Sequence, residues 1–201
     1  MRIISGKHRG KMLLSFKDDS IRPTSSYVRE MIFNILQNPR FARDENFLPI
    51  NGVKSSLNDR ADFLDVFAGV GSVGLEALSN GAASACFIDK SPNAIGITQK
   101  NAEKLGEITN IRLINSNISQ LKITDKPYDI IFIDPPYKDA KQNNMLATKT
   151  INQLVAKRWV KQSSLVIIEQ SKQSDFRIPQ GFYRLDERKF AKTKVSFLQA
   201  Q

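Results

Sequence analysis

The spacing of apolar residues changes character near residue 60. In residues 1–16 apolar and polar positions alternate loosely, with turn signals at Ser5-Gly6 and Arg9-Gly10, which predicts a β-hairpin. In IRPTSSYVREMIFNILQ, Val28, Ile32, Ile35 and Leu36 recur at i, i+4, i+7 and i+8, the spacing of a helix with one apolar face. Pro23-Thr24-Ser25-Ser26 marks its start and Pro39 its stop. Residues 38–60 are polar, with Pro, Gly and Asn scattered through them, and read as a loop or linker. From Asp62 onward short apolar strands alternate with helical stretches. DFLDVFAG, SACFID, IRLIN, YDIIFID and SLVIIEQ read as strands. SVGLEALSNG, closed by Gly81, SPNAIGITQKNAEKLG, ending near Gly106, and MLATKTINQLVAKRWV read as helices. FYRLDERKF and TKVSFLQA read as a closing antiparallel pair.

Strands alternating with helices predict an α/β fold whose sheet is mostly parallel and covered on both faces. The continuous apolar runs Ile130–Ile133 and Leu165–Ile168 suit strands buried on both sides. A length of 201 residues fits one domain with a small appendage. The expected division is an N-terminal hairpin, helix and linker over 1–60 and a larger α/β domain over 61–201. There are no internal repeats and no low-complexity segment.

Composition narrows the setting. No apolar run approaches the length of a membrane span, and the apolar stretch near the N-terminus is only Ile3-Ile4, too short for a signal peptide. A single cysteine, Cys86, excludes an internal disulfide framework and a cysteine-based zinc site, and no metal site is expected. A cytoplasmic protein without membrane contact is the simplest reading. The formal net charge is +10. Residues 1–60 hold 11 Lys/Arg against 6 Asp/Glu, residues 61–170 hold 12 against 11, and residues 171–201 hold 7 against 3. A near-neutral centre between two basic ends suits a polyanionic partner, nucleic acid first among them, although charge alone fits a merely basic, soluble surface equally well.

The segment DVFAGVGSVGLEA contains Gly69-x-Gly71-x-x-Gly74 after a strand and at the start of a helix. Gly69 and Gly71 let the backbone turn tightly and approach a ligand, and Gly74 lets the helix pack close to the sheet. Asp89, at the end of the next strand, stands where an acid accepts hydrogen bonds from ribose hydroxyls. Loop and acid together point to a nucleoside-containing cofactor. A dinucleotide would place its pyrophosphate on the helix N-terminus. S-adenosylmethionine has no phosphate and calls for an acid at the strand end, which Asp65 supplies.

The segment IIFIDPPYKD then becomes chemically specific. Each proline drives the residue before it to an extended conformation and neither offers an N–H. What remains is a stiff mount presenting the Asp134 carboxylate and the Pro135 carbonyl as acceptors, with Pro136 behind them and Tyr137 adding an aromatic face. The fourth strand should deliver this mount beside the first strand's glycine loop, at the ligand-binding edge of an open α/β sheet. Two acceptors can hold the two N–H groups of a nucleobase amine and aim its lone pair at a methyl-sulfonium carbon. Tyr137 would stack on the base, which must leave its helix or loop to enter. The same residues have no role in hydride transfer.

On these motifs the sequence resembles the class I S-adenosylmethionine-dependent methyltransferases, and more narrowly the bacterial RsmD-type 16S rRNA guanine-N2 methyltransferases. The resemblance spans nearly the whole chain, through RIISGKHRGKML, RPTSSYVREMIFNIL, LDVFAGVGSVGLEALSNGA, FIDKSPNAIGITQKNAEKL and FIDPPY. It implies a Rossmann-like methyltransferase sheet and methylation of a guanine N2 amine in 16S rRNA, within a small-subunit particle; a monomer is expected. It implies catalysis by Asp134, Pro135, Pro136 and Tyr137, and cofactor contacts from Asp65, Phe67, Ala68, Gly69, Gly71, Gly74, Asp89, Lys90, Asn117 and Ile118. The N-terminal unit would help cover the cofactor and hold rRNA, with Lys7, Arg9, Lys11, Arg22, Thr24 and Arg29 as RNA contacts. The chain departs from the family pattern at Ser26-Tyr27, where an acid and a base are usual, and at Asn117, where an Asp commonly meets the adenine. It departs again at FAKTKVSFL, where many members carry Tyr-Gly-Asp/Asn-Thr. His8 reads as a surface or RNA-contacting residue, and Cys86 and Trp159 as core. Two other readings stay open: a DNA adenine or cytosine amino-methyltransferase, and a non-catalytic RNA-binding assembly protein.

Overall fold

The computed structural model describes residues 1–16, 24–37, 57, 60–136, 140–174 and 176–201, with backbone alone at 140–144. Arg22, Pro23, Pro39, nearly all of the expected linker and Tyr137 lie outside the described residues. The elements are α1 (Ser26–Gln37), β1 (Asp62–Val66), α2 (Ser72–Ser79), β2 (Ser84–Asp89), α3 (Pro92–Leu105), β3 (Ile111–Asn115), β4 (Tyr128–Ile133), α4 (Ala140–Ala156), β5 (Val160–Ser171), β6 (Phe182–Phe190) and β7 (Thr193–Ala200).

They form one seven-stranded sheet in the order β3-β2-β1-β4-β5-β7-β6. β1 to β5 pair in parallel, and β7 runs antiparallel to both β5 and β6. The strand order reverses direction at β1, which therefore pairs with β2 on one side and β4 on the other. In open α/β sheets that switch point, at the carboxyl edge, is where ligands bind.

Period-two alternation sorts the apolar strands onto two cores. Phe63, Ile130, Phe132, Leu165 and Ile167 face one side, and Leu64, Val66, Ile131, Ile133, Val166 and Ile168 face the other. The first side is covered by α2 and by residues Ile3, Leu13, Val28, Ile32, Phe33 and Leu36, so the N-terminal unit packs into the same core as the sheet. The second side is covered by α4 through Ala147, Ile151 and Leu154. Cys86 and Trp159 are core residues, as expected. Helix boundaries follow local chemistry: Ser91 Oγ accepts from Ala94 N ahead of Pro92, and Gly106 closes α3 in the left-handed region at φ 76°.

Two expectations are corrected. The N-terminal hairpin contracts to a single bridge, Arg2 to Met12, around a 3-10 turn at Gly6–His8. The reason is competition for donors: Ile4 N and Ser5 N give their hydrogens to Glu76 Oε1 at 3.0 and 2.8 Å rather than to a partner strand. β5 begins at Val160, expected as the end of the preceding helix, because α4 stops at Ala156 and Val160 pairs with Tyr128 of β4, a register shift then bringing Leu165 opposite Ile130.

Candidate active site at the carboxyl edge

β1 ends in backbone that side chains rarely adopt. Phe67 has φ 64°, uncommon for a bulky residue and costing on the order of 1–3 kcal/mol. Gly69 and Gly71 follow at φ 56° and 77°. Gly71 N donates to Ala68 O at 2.8 Å, which closes the turn that starts α2. Gly74 is required by close approach: a Cβ there would lie 2.4 Å from the Phe87 ring of β2. The literal glycine pattern is thus one tight turn followed by one tight helix–strand contact.

Two carboxylates fix this loop. Asp65 Oδ2 accepts from Gly74 N at 2.9 Å, and Asp89 Oδ2 accepts from Gly69 N at 2.9 Å. Asp89 Oδ1 takes Ser91 N at 2.8 Å. Asp65 is buried, and burial pushes its carboxyl up to about 7; the Gly74 N–H opposes the rise and the neighbouring Asp89 charge adds to it. Asp65 therefore shapes the loop from beneath, where direct cofactor contact had been expected. Asp89 is partly exposed, and a carboxylate with about four lone-pair sites keeps capacity for ribose hydroxyls beyond its two backbone bonds. Lys90 beside it is exposed.

Asn117 and Ile118 close the far side. Asn117 is exposed, and its Oδ1 accepts from Ser119 N at 3.3 Å, capping a 3-10 turn at Ile118–Gln120. Ile118 is buried in the second core. Its side chain supports the wall beneath this turn.

β4 delivers Asp134 to the same edge. Val66 pairs with Ile133, and Asp134 N donates to Val66 O at 3.4 Å. Asp134 is half-buried, Pro135 buried and Pro136 exposed. Thr24 Oγ1 donates to Asp134 Oδ2 at 3.3 Å. Thr24, expected on the RNA, is buried and touches the candidate catalytic carboxylate. Asp89 and Asp134 thus stand beside one loop that Asp65 supports from beneath, an acidic edge that complements a cationic ligand. Strained turn, ribose-competent acid and rigid acceptor mount together fit S-adenosylmethionine, whose sulfonium carries a positive charge.

Other N-terminal assignments change. Arg29 is buried and cannot serve as an RNA contact: its Nη1 lies 3.0 Å from Glu76 Oε2, and both terminal nitrogens donate to Arg2 O at 3.2 Å. His8 is buried, not on the surface, with Nε2 2.6 Å from Glu107 Oε1. Lys7 Nζ reaches the same oxygen at 2.6 Å and stays half exposed. Burial raises the Glu107 carboxyl, but Lys7, Asn110 and His8 outweigh it and hold the group below its ordinary range. Arg9 and Lys11 are exposed, as an RNA contact requires.

Sequence reasoning missed three supporting residues. Thr98 Oγ1 donates to Gly69 O at 3.0 Å. Asn101 Nδ2 donates to Val70 O at 3.0 Å and Leu14 O at 3.1 Å, while its Oδ1 takes Leu14 N at 2.7 Å, so it ties the loop to the N-terminal segment. Glu76 gathers Ile4, Ser5 and Arg29. The signal was available: Thr98 and Asn101 sit at helical spacing with buried Ala94, Ala102 and Leu105, polar residues where the period calls for apolar ones.

Residues 1–199 match the model of the family described as Conserved hypothetical protein 95. A Ribosomal RNA small subunit methyltransferase D of Buchnera aphidicola subsp. Acyrthosiphon pisum is 37% identical over 183 residues, 90% of this chain and 83% of that protein. The solved structure of the putative methyltransferase yhhF from Escherichia coli superposes with a TM-score of 0.77 at 30% identity, over 100% of this chain and 98% of that one. An RNA methyltransferase from Salinibacter ruber, solved in complex with S-adenosyl-L-homocysteine, shares the fold, with a TM-score of 0.61 at 13% identity over 89% of this chain and 94% of that one. The chain belongs to the Conserved hypothetical protein 95 family, the RsmD family of methyltransferases.

Proposed function

We propose that the protein transfers a methyl group from S-adenosylmethionine to the exocyclic N2 amine of a guanine in 16S rRNA, as a cytoplasmic monomer acting on a small-subunit particle. The observation that carries the reading is the seat of Asp134-Pro135. The mount leaves β4 directly beside the end of β1, with Asp134 N on Val66 O, so an amine held there faces the loop bounded by Asp89. The relatives' names and the basic N-terminal segment, with Arg9 and Lys11 exposed, support RNA as the substrate.

S-adenosylmethionine supplies an electrophilic methyl group on a sulfonium that leaves as a neutral thioether. The protein's part is to make a poor nucleophile present itself. A guanine amine delocalises its lone pair into the ring. Acceptance of one N–H by Asp134 and the other by the Pro135 carbonyl holds the nitrogen and favours its pyramidal form, so that the lone pair points at the carbon. Thr24, just ahead of α1, donates its hydroxyl to Asp134 Oδ2 and steadies that carboxylate. As the N–C bond forms, the nitrogen becomes cationic and the nearby Asp134 charge stabilises it until a proton leaves for the carboxylate or for water. In this reading the base stacks on Tyr137, which follows the mount in the chain.

Replacing Asp134 with Ala is expected to abolish methyl transfer to 16S rRNA while cofactor affinity, read by calorimetry, stays near that of the unaltered protein. Retained transfer would refute the role assigned to Asp134.

A further inference from the structure

A pair of exposed aromatic rings stands beside a cleft that the methyl-transfer site does not use. Tyr27, in the first turn of α1, and Phe190, at the end of β6, stack with centroids 3.7 Å apart and 22° between their planes. Tyr27 keeps 51% of its surface in solvent and Phe190 41%. The cleft they border has a volume of about 520 Å³ and runs between α1 and β6, with Arg188 and Lys189 on its strand side and Glu30 on its helix side. That volume is in the range of small-ligand pockets, about 300–1,000 Å³.

The cations around the rings are available. Arg188 Nε lies 2.7 Å from Asp186 Oδ2 and Lys189 Nζ 3.2 Å from Glu187 Oε1, with side chains 52% and 55% exposed. The carboxylates beneath them are largely buried, at 10% and 17% exposure, so each cation is anchored from below and turns its remaining N–H groups to solvent, where a phosphate can meet them without displacing the pair. Lys192, in the β6–β7 turn next to Phe190, is exposed as well. That turn holds Ala191 at φ 49°, a strained conformation for a side chain, and it fixes Phe190 and Lys192 on either side of a tight bend.

The location ties the rings to the chemistry. Thr24 touches Asp134, and three residues later the chain reaches Tyr27, a span of at most about 11 Å. We propose that Tyr27 and Phe190, with Arg188, Lys189 and Lys192 around them, form a stacking platform for an unpaired nucleotide flanking the guanine being methylated. Any base has a face to stack on an aromatic ring, and the cations hold its phosphate, so the platform is tolerant of sequence. Paired RNA hides its base faces, which makes the occupant single-stranded. The platform deepens the rRNA-methylation reading and rests on it for its setting.

The test is the binding of a short fluorescein-labelled oligouridine, without cofactor, by fluorescence anisotropy. Tyr27→Ala/Phe190→Ala is expected to bind about ten-fold more weakly than the unaltered protein, the size of one base–ring stack. Tyr27→Phe and Phe190→Tyr, which keep the rings, should bind unchanged. Arg188→Gln/Lys189→Gln leaves both rings in place and should make the salt dependence shallower. Equal affinity of the unaltered and ring-deleted proteins, or no binding by the unaltered protein, would overturn the platform. Loss confined to thermal stability would do the same and leave the pair a clip between helix and hairpin. The assay needs no methyl transfer. Failure to methylate 16S rRNA, with ring-dependent binding intact, would sink the functional reading and leave a stacking platform without its guanine; equal affinities in an active enzyme would sink the platform alone.

Discussion

Asp65 places an acid where a charge is costly. Its carboxyl titrates near 7 through burial first, only partly offset by the Gly74 N–H, and the charge of Asp89 adds to the rise. An aspartate in the unfolded chain titrates at about 3.9, so folding favours the protonated form. Asp65 thus contributes stability that is complete below about pH 4, falls as pH rises, and is gone above about pH 7. The full swing is about 4 kcal/mol at ~1.36 kcal/mol per unit. Asp65→Asn keeps an acceptor for Gly74 and removes the titration. Urea unfolding should show its stability advantage over the unaltered protein widening from about pH 4 to about pH 7 and levelling off above that; a constant gap would rule out burial of the charge as the cause. Thr24 offers a second test at this scale. Its bond to Asp134 is long for a hydroxyl donor, so Thr24→Val is expected to lower kcat by no more than about ten-fold and leave the KM for S-adenosylmethionine unchanged in steady-state kinetics. A raised cofactor KM with kcat intact would place Thr24 on the cofactor instead.

Among the elements, α1 shows most clearly what the pattern of residues could and could not convey. Its existence and its apolar face were legible from Val28, Ile32 and Leu36, all buried. The face is broader than that spacing suggested: it turns toward Phe33, four residues after Arg29, which carries Arg29 inward while Ile35 is left partly buried. A basic residue beside an apolar stripe reads as solvated until its partner is known, and that partner, Glu76, is 47 residues away and is the one charged residue of α2. Burial pulls the Arg29 guanidinium down, opposed by the Glu76 charge. Arg29→Met should cost about 3–5 kcal/mol in denaturant unfolding, because it strands Glu76 in the core. A loss no larger than that of an exposed arginine would contradict the buried pair. The sheet itself was easier to read, because strands buried on both faces leave uninterrupted apolar runs such as Ile130–Ile133. The N-terminal hairpin was not, because its donors go to Glu76 and no local pattern records that.

At the scale of the whole molecule, five strand and loop ends that are distant in sequence meet at one edge of the sheet. The glycine loop, Asp89 and Asp134 could be placed there from motif and strand order alone, since a parallel sheet fixes which ends lie together. The supports under them, Thr98 and Asn101 from α3 and Thr24 ahead of α1, depend on packing between elements and emerged only in three dimensions. The two sequence departures at Tyr27 and at the Phe190 turn lay 163 positions apart without an evident link until the rings were found stacked. The net charge of +10 is carried by the two ends of the chain, outside the near-neutral segment that supplies the acidic edge, and suits a polyanionic substrate. The most direct measurement is incubation with methyl-labelled S-adenosylmethionine and either small-subunit particles or stripped 16S rRNA, followed by mass analysis of the released nucleosides. The expected result is label in N2-methylguanosine, with particles the better substrate. Label in any other nucleoside, or none in rRNA, would contradict it.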